Sequence, residues 1–435
     1  MKLNILPSST ITLSLILTCT QYSLASGVNS GSSLTHGKGP NPFSLYSASY
    51  NPAMNSLIID EDKSYRMNFL PGIALSMELG EVDNFADDLE ELIDIIDDPN
   101  STEDSPSEVL ERFNAVLIEM GEEGYMKTDV KIRAPFLPYY FKKDGVGSFS
   151  IDYSMAAQAS LAVLDDELTF DEQTENFVTN TSIYVKSGIE QILSLGYSRA
   201  IGDDDLGLFF GSKLSLINVE LSKQVTMLQD LDGRDVSDVI KDEYDRNLVS
   251  NTALSLDFGI LWTNNKYLAG LTLHNANSPS FDYGAVGDRC EEREPASAER
   301  NSCEITRHFI AEGALKGSET HTMHARMRAD ASAFITERWV ASGSVDLAAY
   351  DDIVGYKNQW FNVSTSYESQ SFWGASVRAG YQKNLTGSEL ASITGGLTLL
   401  NCLTLDMEYG LESITVDGSS GPRRLGFAIG FEQNF

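Results

Sequence analysis

The sequence predicts an all-β chain: a transmembrane up-and-down β-barrel of about 14 antiparallel strands, with an N-terminal plug segment and a short helical hairpin insert. Three observations predict it. Apolar and polar residues alternate with a period of two through segment after segment, which puts them on opposite faces of strands. Short and long connections alternate between those segments, the pattern of hairpins whose turns gather at one end of a closed sheet and whose loops gather at the other. The last segment, from Arg423, alternates Leu425, Phe427, Ile429, Phe431 and Phe435 with small or polar residues, and the sequence given stops on an aromatic of the apolar face.

The first residues have the build of a secretory signal, predicted here as 1–25. Lys2 gives a positive start, Ile11 to Thr20 a short apolar run, and Ser23-Leu24-Ala25 a small-x-small cleavage site. No later segment supplies the ~18 uninterrupted apolar residues a spanning helix needs. From Ser26 to about residue 63 the chain is rich in Ser, Gly, Asn and Pro. It cannot form a core of its own, so it stays loose or lodges inside something else.

The barrel is predicted over 64–435. Its first strand carries Tyr65, Met67 and Phe69 on one face, with Pro71 forcing a break or an edge. An acidic insert follows at 78–124. Phe85, Leu89, Leu92, Ile93 and Ile96 recur at helical spacing, as do Val109, Phe113, Val116, Leu117 and Met120 beyond a turn, and Ser105-Pro106 starts the second helix. The two narrow stripes bury each other against the barrel rim or, alternatively, form a groove for a partner.

Period two then holds to the end. Phe149, Ile151, Tyr153 and Met155 oppose Ser148, Ser150, Asp152 and Ser154, as expected of a lipid face opposite a wet lumen. The connection 135–147, with Pro135 and Pro138, is longer than a turn at that end should be. Trp262, Tyr267, Trp339, Trp360, Trp373 and Tyr381 fall near strand ends, where an interfacial girdle belongs. His324, Arg326, Arg328 and Asp330 share one face, opposite Met323, Ala325, Met327 and Ala329. An Arg turned to lipid at mid-depth costs about 2–4 kcal/mol, so this stripe must face the lumen, as a salt-bridged wall holding the plug or as a permeation or ligand lining.

Several classes of function are disfavoured. A net charge of -32 is the wrong sign for a nucleic-acid surface. No Cys-x-x-Cys occurs, so neither a thioredoxin-type redox site nor a zinc ribbon is available. His321 and His324 are three apart on a predicted strand and point to opposite faces, a poor metal pair; neither metal nor cofactor is expected. No Gly-x-Ser-x-Gly elbow appears, and no enzyme is predicted. Cys290 and Cys303 bracket a polar stretch and can close a local disulfide worth up to about 3 kcal/mol; Cys402 is expected as a small strand residue.

The closing strand, with Phe431 and Phe435, resembles those of bacterial outer-membrane barrels, whose assembly machinery reads such an end. The Asn51-Pro52-Ala53 step ahead of the first strand resembles the plug region of fatty-acid-transporter-like (FadL) barrels. Together with the signal and the acidic insert, the layout resembles an outer-membrane family filed as plasmid-transfer TraF proteins, relatives of the FadL-type barrels and distinct from the thioredoxin-like F-plasmid protein of that name. The resemblance implies an outer-membrane location, lipid as the solvent of the outer face, and either a transfer-associated role with conjugation components or passive uptake of a small hydrophobic ligand. A surface adhesin or receptor scaffold working through loops 224–250 and 276–320 is the third alternative.

Overall fold

The computed structural model describes residues 28–433 except 61, 203–206, 230–235, 265, 370 and 372, so the proposed signal (1–25) and Phe435 lie outside the described residues. Fourteen antiparallel staves close on themselves. We number them β1 (two halves, Tyr65–Asn68 and Ile73–Leu79), β2 (Tyr125–Arg133 and Tyr139–Lys143), β3 (Gly147–Leu164), β4 (Ser182–Ala200), β5 (Leu208–Met227), β6 (Val249–Thr263) and β7 (Tyr267–His274). The rest are β8 (Arg326–Thr336), β9 (Trp339–Asp346), β10 (Trp360–Tyr367), β11 (Ser376–Asn384), β12 (Ala391–Leu399), β13 (Leu403–Gly410) and β14 (Arg424–Gln433). Each pairs with its chain neighbours, and β1 closes the seam against β14 with Ala74 opposite Ala428.

The two broken staves explain the over-long 135–147 connection. Proline has no N–H to give a ladder, so β1 parts around Pro71 and β2 parts between Pro135 and Pro138. Beyond the break, Tyr139–Lys143 resumes the second stave, pairing with β3 and with the first half of β1. The turn into β3 is therefore only 144–146, at the same end of the barrel as the tight turns 337–338 and 400–402.

Alternation behaves as the period demands. Leu195, Leu254 and Phe427 point outward and are 51, 52 and 48% exposed, members of a band of bare apolar side chains around the wall. A water-soluble surface does not carry such a band; a hydrocarbon-solvated one does. No helix among the described residues is long and apolar enough to cross a membrane. Trp262, Tyr267 and Trp339 stand exposed near the short-turn end, whereas Trp360 turns inward, 4.9 Å beneath the Arg424 guanidinium. Trp360 is the first residue of β10 and shares the inward parity of Asn362 and Ser364, so it is no part of a girdle. Cys402 also departs from expectation: it closes the turn before β13, its N–H bonded to the Leu399 carbonyl.

The wall is uneven in height. β3, β4, β5 and β6 run 18, 19, 20 and 15 residues, while β7 to β14 run 8 to 11. About 9–11 residues span a bilayer, so the tall side rises well clear of it at the long-loop end. There its outward apolar residues meet protein, not lipid. Helices α3 (Phe85–Asp97) and α4 (Pro106–Glu123) lay Phe85, Leu92, Phe113 and Leu117 against Val163, Ile183 and Val185. Helices α1 and α2 are single turns of the N-terminal segment (Ser33–His36 and Ser47–Tyr50). Pro106 opens α4 at its first turn, and the Glu108 carboxylate reaches back to accept the Ser105 N–H at 2.9 Å, a capping box. Helix α5 (Val236–Asn247) adds Ile240 to the same cluster. On the inner side, helix α6 (Ala298–Glu312) buries Ile305 and Phe309 against Val225 and Met227.

Candidate functional site: a filled lumen beneath the long loops

Residues 28–59 lie inside the barrel. Polar contacts to the wall hold it, together with apolar packing around Leu45, Met54 and Ile58. The Glu432 carboxylate of β14 accepts the N–H groups of Ser32 (3.1 Å) and Leu45 (2.7 Å). Arg66 of β1 donates to the carbonyls of Pro42 (2.7 Å), Phe43 (2.6 Å) and Ile58 (3.0 Å). Thr35 donates to Asp406 of β13, whose carboxylate also takes Arg378 Nε of β11 at 2.7 Å. Lys213 of β5 donates to the Ser49 carbonyl at 3.0 Å, and Ser198 of β4 to the Ala53 carbonyl at 2.9 Å. Burial, and then the nearby Arg378, push His36 down to about 3, so it sits neutral with Nε2 3.3 Å from the Asn41 amide nitrogen.

The Asn51-Pro52-Ala53 step lies low in the lumen, near the short-turn end. The Asn51 side chain accepts the Ala53 N–H at 3.0 Å, and Pro52 starts a 3-10 turn to Ser56. Leu45, Met54 and Ile58 then pack with Tyr140, Leu261 and Leu268 to floor the barrel. Two wall glycines make room for the step. A Cβ on Gly211 would sit 2.3 Å from the Pro52–Ala53 backbone, and one on Gly259 would sit 2.2 Å from Asn51 Oδ1. Sequence reasoning passed over both, although a glycine at an inward position of a strand is a signal of close backbone approach.

The stripe faces inward. Arg328 is 2% exposed; its Nε binds Asp346 Oδ1 at 2.8 Å, and its Nη1 lies 3.0 Å from His274 Nε2. Asp330 receives the Asn51 amide at 3.5 Å, which joins the stripe to the plug step. Arg326 stacks over the Tyr350 ring at 3.7 Å. His324 precedes the stave instead of belonging to it: β8 begins at Arg326, and Thr320–Thr322 form a separate hairpin with Ser280–Asp282. His324 still lines the lumen cavity, as does His321.

That cavity measures about 230 Å³ and lies between the N-terminal segment and the loop roof. Its lining includes Val28, Lys131, Lys213, Arg326, Asp352 and Trp360. Ion pairs fasten the roof to the wall: Lys127 to Asp352 at 2.5 Å and Lys186 to Glu319 at 2.7 Å. Burial raises the Glu319 carboxyl, but Lys186 and Lys223 outweigh it and hold the group below its ordinary range. Cys290 and Cys303 are bonded, with Cα atoms 5.5 Å apart, and tie the 3-10 turn before α6 to that helix. Among the described residues no three His, Cys, Asp or Glu side chains are placed to hold a metal ion. Phe431 stands on the outward parity of β14, opposite Leu403.

The fold is similar to that of solved channels. A deletion mutant of the TodX monoaromatic hydrocarbon channel superposes with a TM-score of 0.50 at 10% identity, covering 94% of this chain and 99% of that one. The Pseudomonas putida toluene transporter TodX gives 0.43 at 12% identity (95% and 100% covered), and a Pseudomonas aeruginosa FadL homologue 0.42 at 12% (94% and 98%). At such identity the likeness is one of fold. No curated protein matches the chain. The model of the family described as "F plasmid transfer operon, TraF, protein" matches residues 48–346, and this outer-membrane β-barrel belongs to that family.

Proposed function

We propose that the barrel is a closed scaffold that acts through its long-loop end, within the transfer-associated role its family description names, and not an open pore or an enzyme. One observation carries this: the interior is occupied by the chain's own N-terminal segment, which is bonded to β1, β4, β5, β13 and β14 through Arg66, Ser198, Lys213, Asp406 and Glu432. Residues 26–63 act as the plug, and the stripe from Arg326 to Asp330 is part of the wall that holds it. TodX is a channel for toluene and monoaromatic hydrocarbons, whereas the cavity here is bordered by Lys, Arg, His and Asp, which favours the scaffold over a hydrophobic channel. Export uses the N-terminal signal, and assembly machinery takes up the chain by the strand ending in Phe431 and Phe435. The partners are conjugation components, met by the acidic helices α3 and α4 and the disulfide-braced loop 276–320.

The test is electrical. Purified wild-type protein in planar bilayers should give no conductance steps, and an Arg66→Gln/Glu432→Gln variant should give them. Steps of equal size from both would overturn the plug. Vesicles loaded with toluene separate the channel: release that depends on the intact N-terminal segment would sink the scaffold.

A further inference from the structure

The corner of the cavity beneath Tyr350 holds more positive charge than the protein neutralises. Arg326 of β8 lines this cavity, and beside it Lys38 of the N-terminal segment and Arg328 of β8 share a single carboxylate, Asp346. Arg328 occupies its Oδ1 at 2.8 Å. Its Oδ2 takes the Trp360 N–H at 3.2 Å and has Lys38 Nζ at 3.6 Å. Asp257, the next acid along the wall, is already held by Lys213 at 2.9 Å and His274 at 3.2 Å. Arg326 therefore has no carboxylate at ion-pair distance among the described residues, and its Nε is buried without an acceptor. His324 borders the same space. In a chain of net charge -32, a half-buried guanidinium with no carboxylate beside it is the more telling.

Taking a charge out of water without a partner is costly, and an orphaned guanidinium N–H adds to the cost. Stacking on Tyr350 fixes the plane of the fork but supplies no acceptor. A planar carboxylate or a phosphate supplies two, in the geometry a guanidinium matches. We propose that this corner binds a small hydrophilic anion, a carboxylate or phosphate, with Arg326 as the principal ligand and Lys38 and His324 beside it. The site goes beyond the scaffold reading and does not rest on it: binding is measured on the detergent-solubilised barrel, where conductance plays no part. Because Lys38 belongs to the N-terminal segment and Arg326 to the wall, the anion would also join plug to barrel.

Titration calorimetry of the purified full chain with succinate and, separately, inorganic phosphate tests the site, with Trp360 fluorescence as a second readout. The expected result is saturable binding of one of the two, weakened at least tenfold in Arg326→Gln and in Lys38→Gln, and unchanged in the exposed variant Lys143→Gln. Lys38 lies outside the staves, so its variant keeps the test open if Arg326→Gln fails to assemble. No saturable binding of either anion, or binding that survives both substitutions, would overturn the proposal. So would dodecanoate binding far more tightly than succinate, which would make the ligand an amphiphile.

Discussion

The tall side of the barrel, β3 to β6, and the short side, β7 to β14, carry the same alternation but are covered differently. On the short side the outward apolar band is bare of protein, as Phe427, Ile393 and Val377 are. On the tall side that holds only up to about Leu195; higher up, Ile183 and Val185 point the same way and are buried under α3 and α4. One strand thus changes solvent partway along its length. An outward-facing leucine or valine is compatible with hydrocarbon and with a protein layer alike, and only the height of the wall separates the two.

That comparison can be broken by substitution. The largest effect is expected where a buried pair loses one member. Arg378→Met should leave Asp406 uncompensated and cost about 3–5 kcal/mol, read as a lowered urea midpoint for heat-modifiable migration on gels. Phe113→Ala, in the protein layer over the tall side, should cost about 3–5 kcal/mol but release only α3 and α4, read by limited proteolysis at 84–123 with barrel migration unchanged. Leu195→Arg, in the lipid band, should cost about 2–4 kcal/mol, whereas Ile118→Arg, exposed on α4, should stay within about 0.5 kcal/mol; equal costs would mean that lipid reaches both.

Reduction of Cys290–Cys303 should loosen the loop by up to about 3 kcal/mol and leave the staves intact. The smallest effect is expected from acid. The Glu319 carboxyl is lowered, so its ties to Lys186 and Lys223 are complete above the ordinary glutamate range and lost as pH falls through the lowered one. Cleavage in the 276–320 loop should therefore rise only at strongly acid pH, and Glu319→Gln should abolish that dependence.

Much of this fold is legible in the residues. The inward parity of Arg326, Arg328 and Asp330 follows from the cost of facing lipid, and the helical stripes from Phe85 to Met120 follow from their spacing. The continuation of β2 past Pro138 was hidden because the prolines mark a break but not whether the ladder resumes. The protein layer over Val185 was hidden because period two records a face and not its solvent. The acceptors Asp346 and Glu432 are lone acids in strands, with no neighbour in sequence to advertise a partner hundreds of residues away. Gly211 and Gly259 were the overlooked signals, since an inward glycine beside bulky neighbours marks where another backbone must pass.

The grip of Glu432 on Ser32 and Leu45 has a consequence for biosynthesis. The anchor for this inner segment lies 400 residues further along, on β14, so the segment is fixed only when that stave is in place. Circularisation and filling are then a single event: when β14 zips onto Ala74 and its neighbours, the same motion clamps the core piece in place, and a ring closed without it would leave that anchor empty.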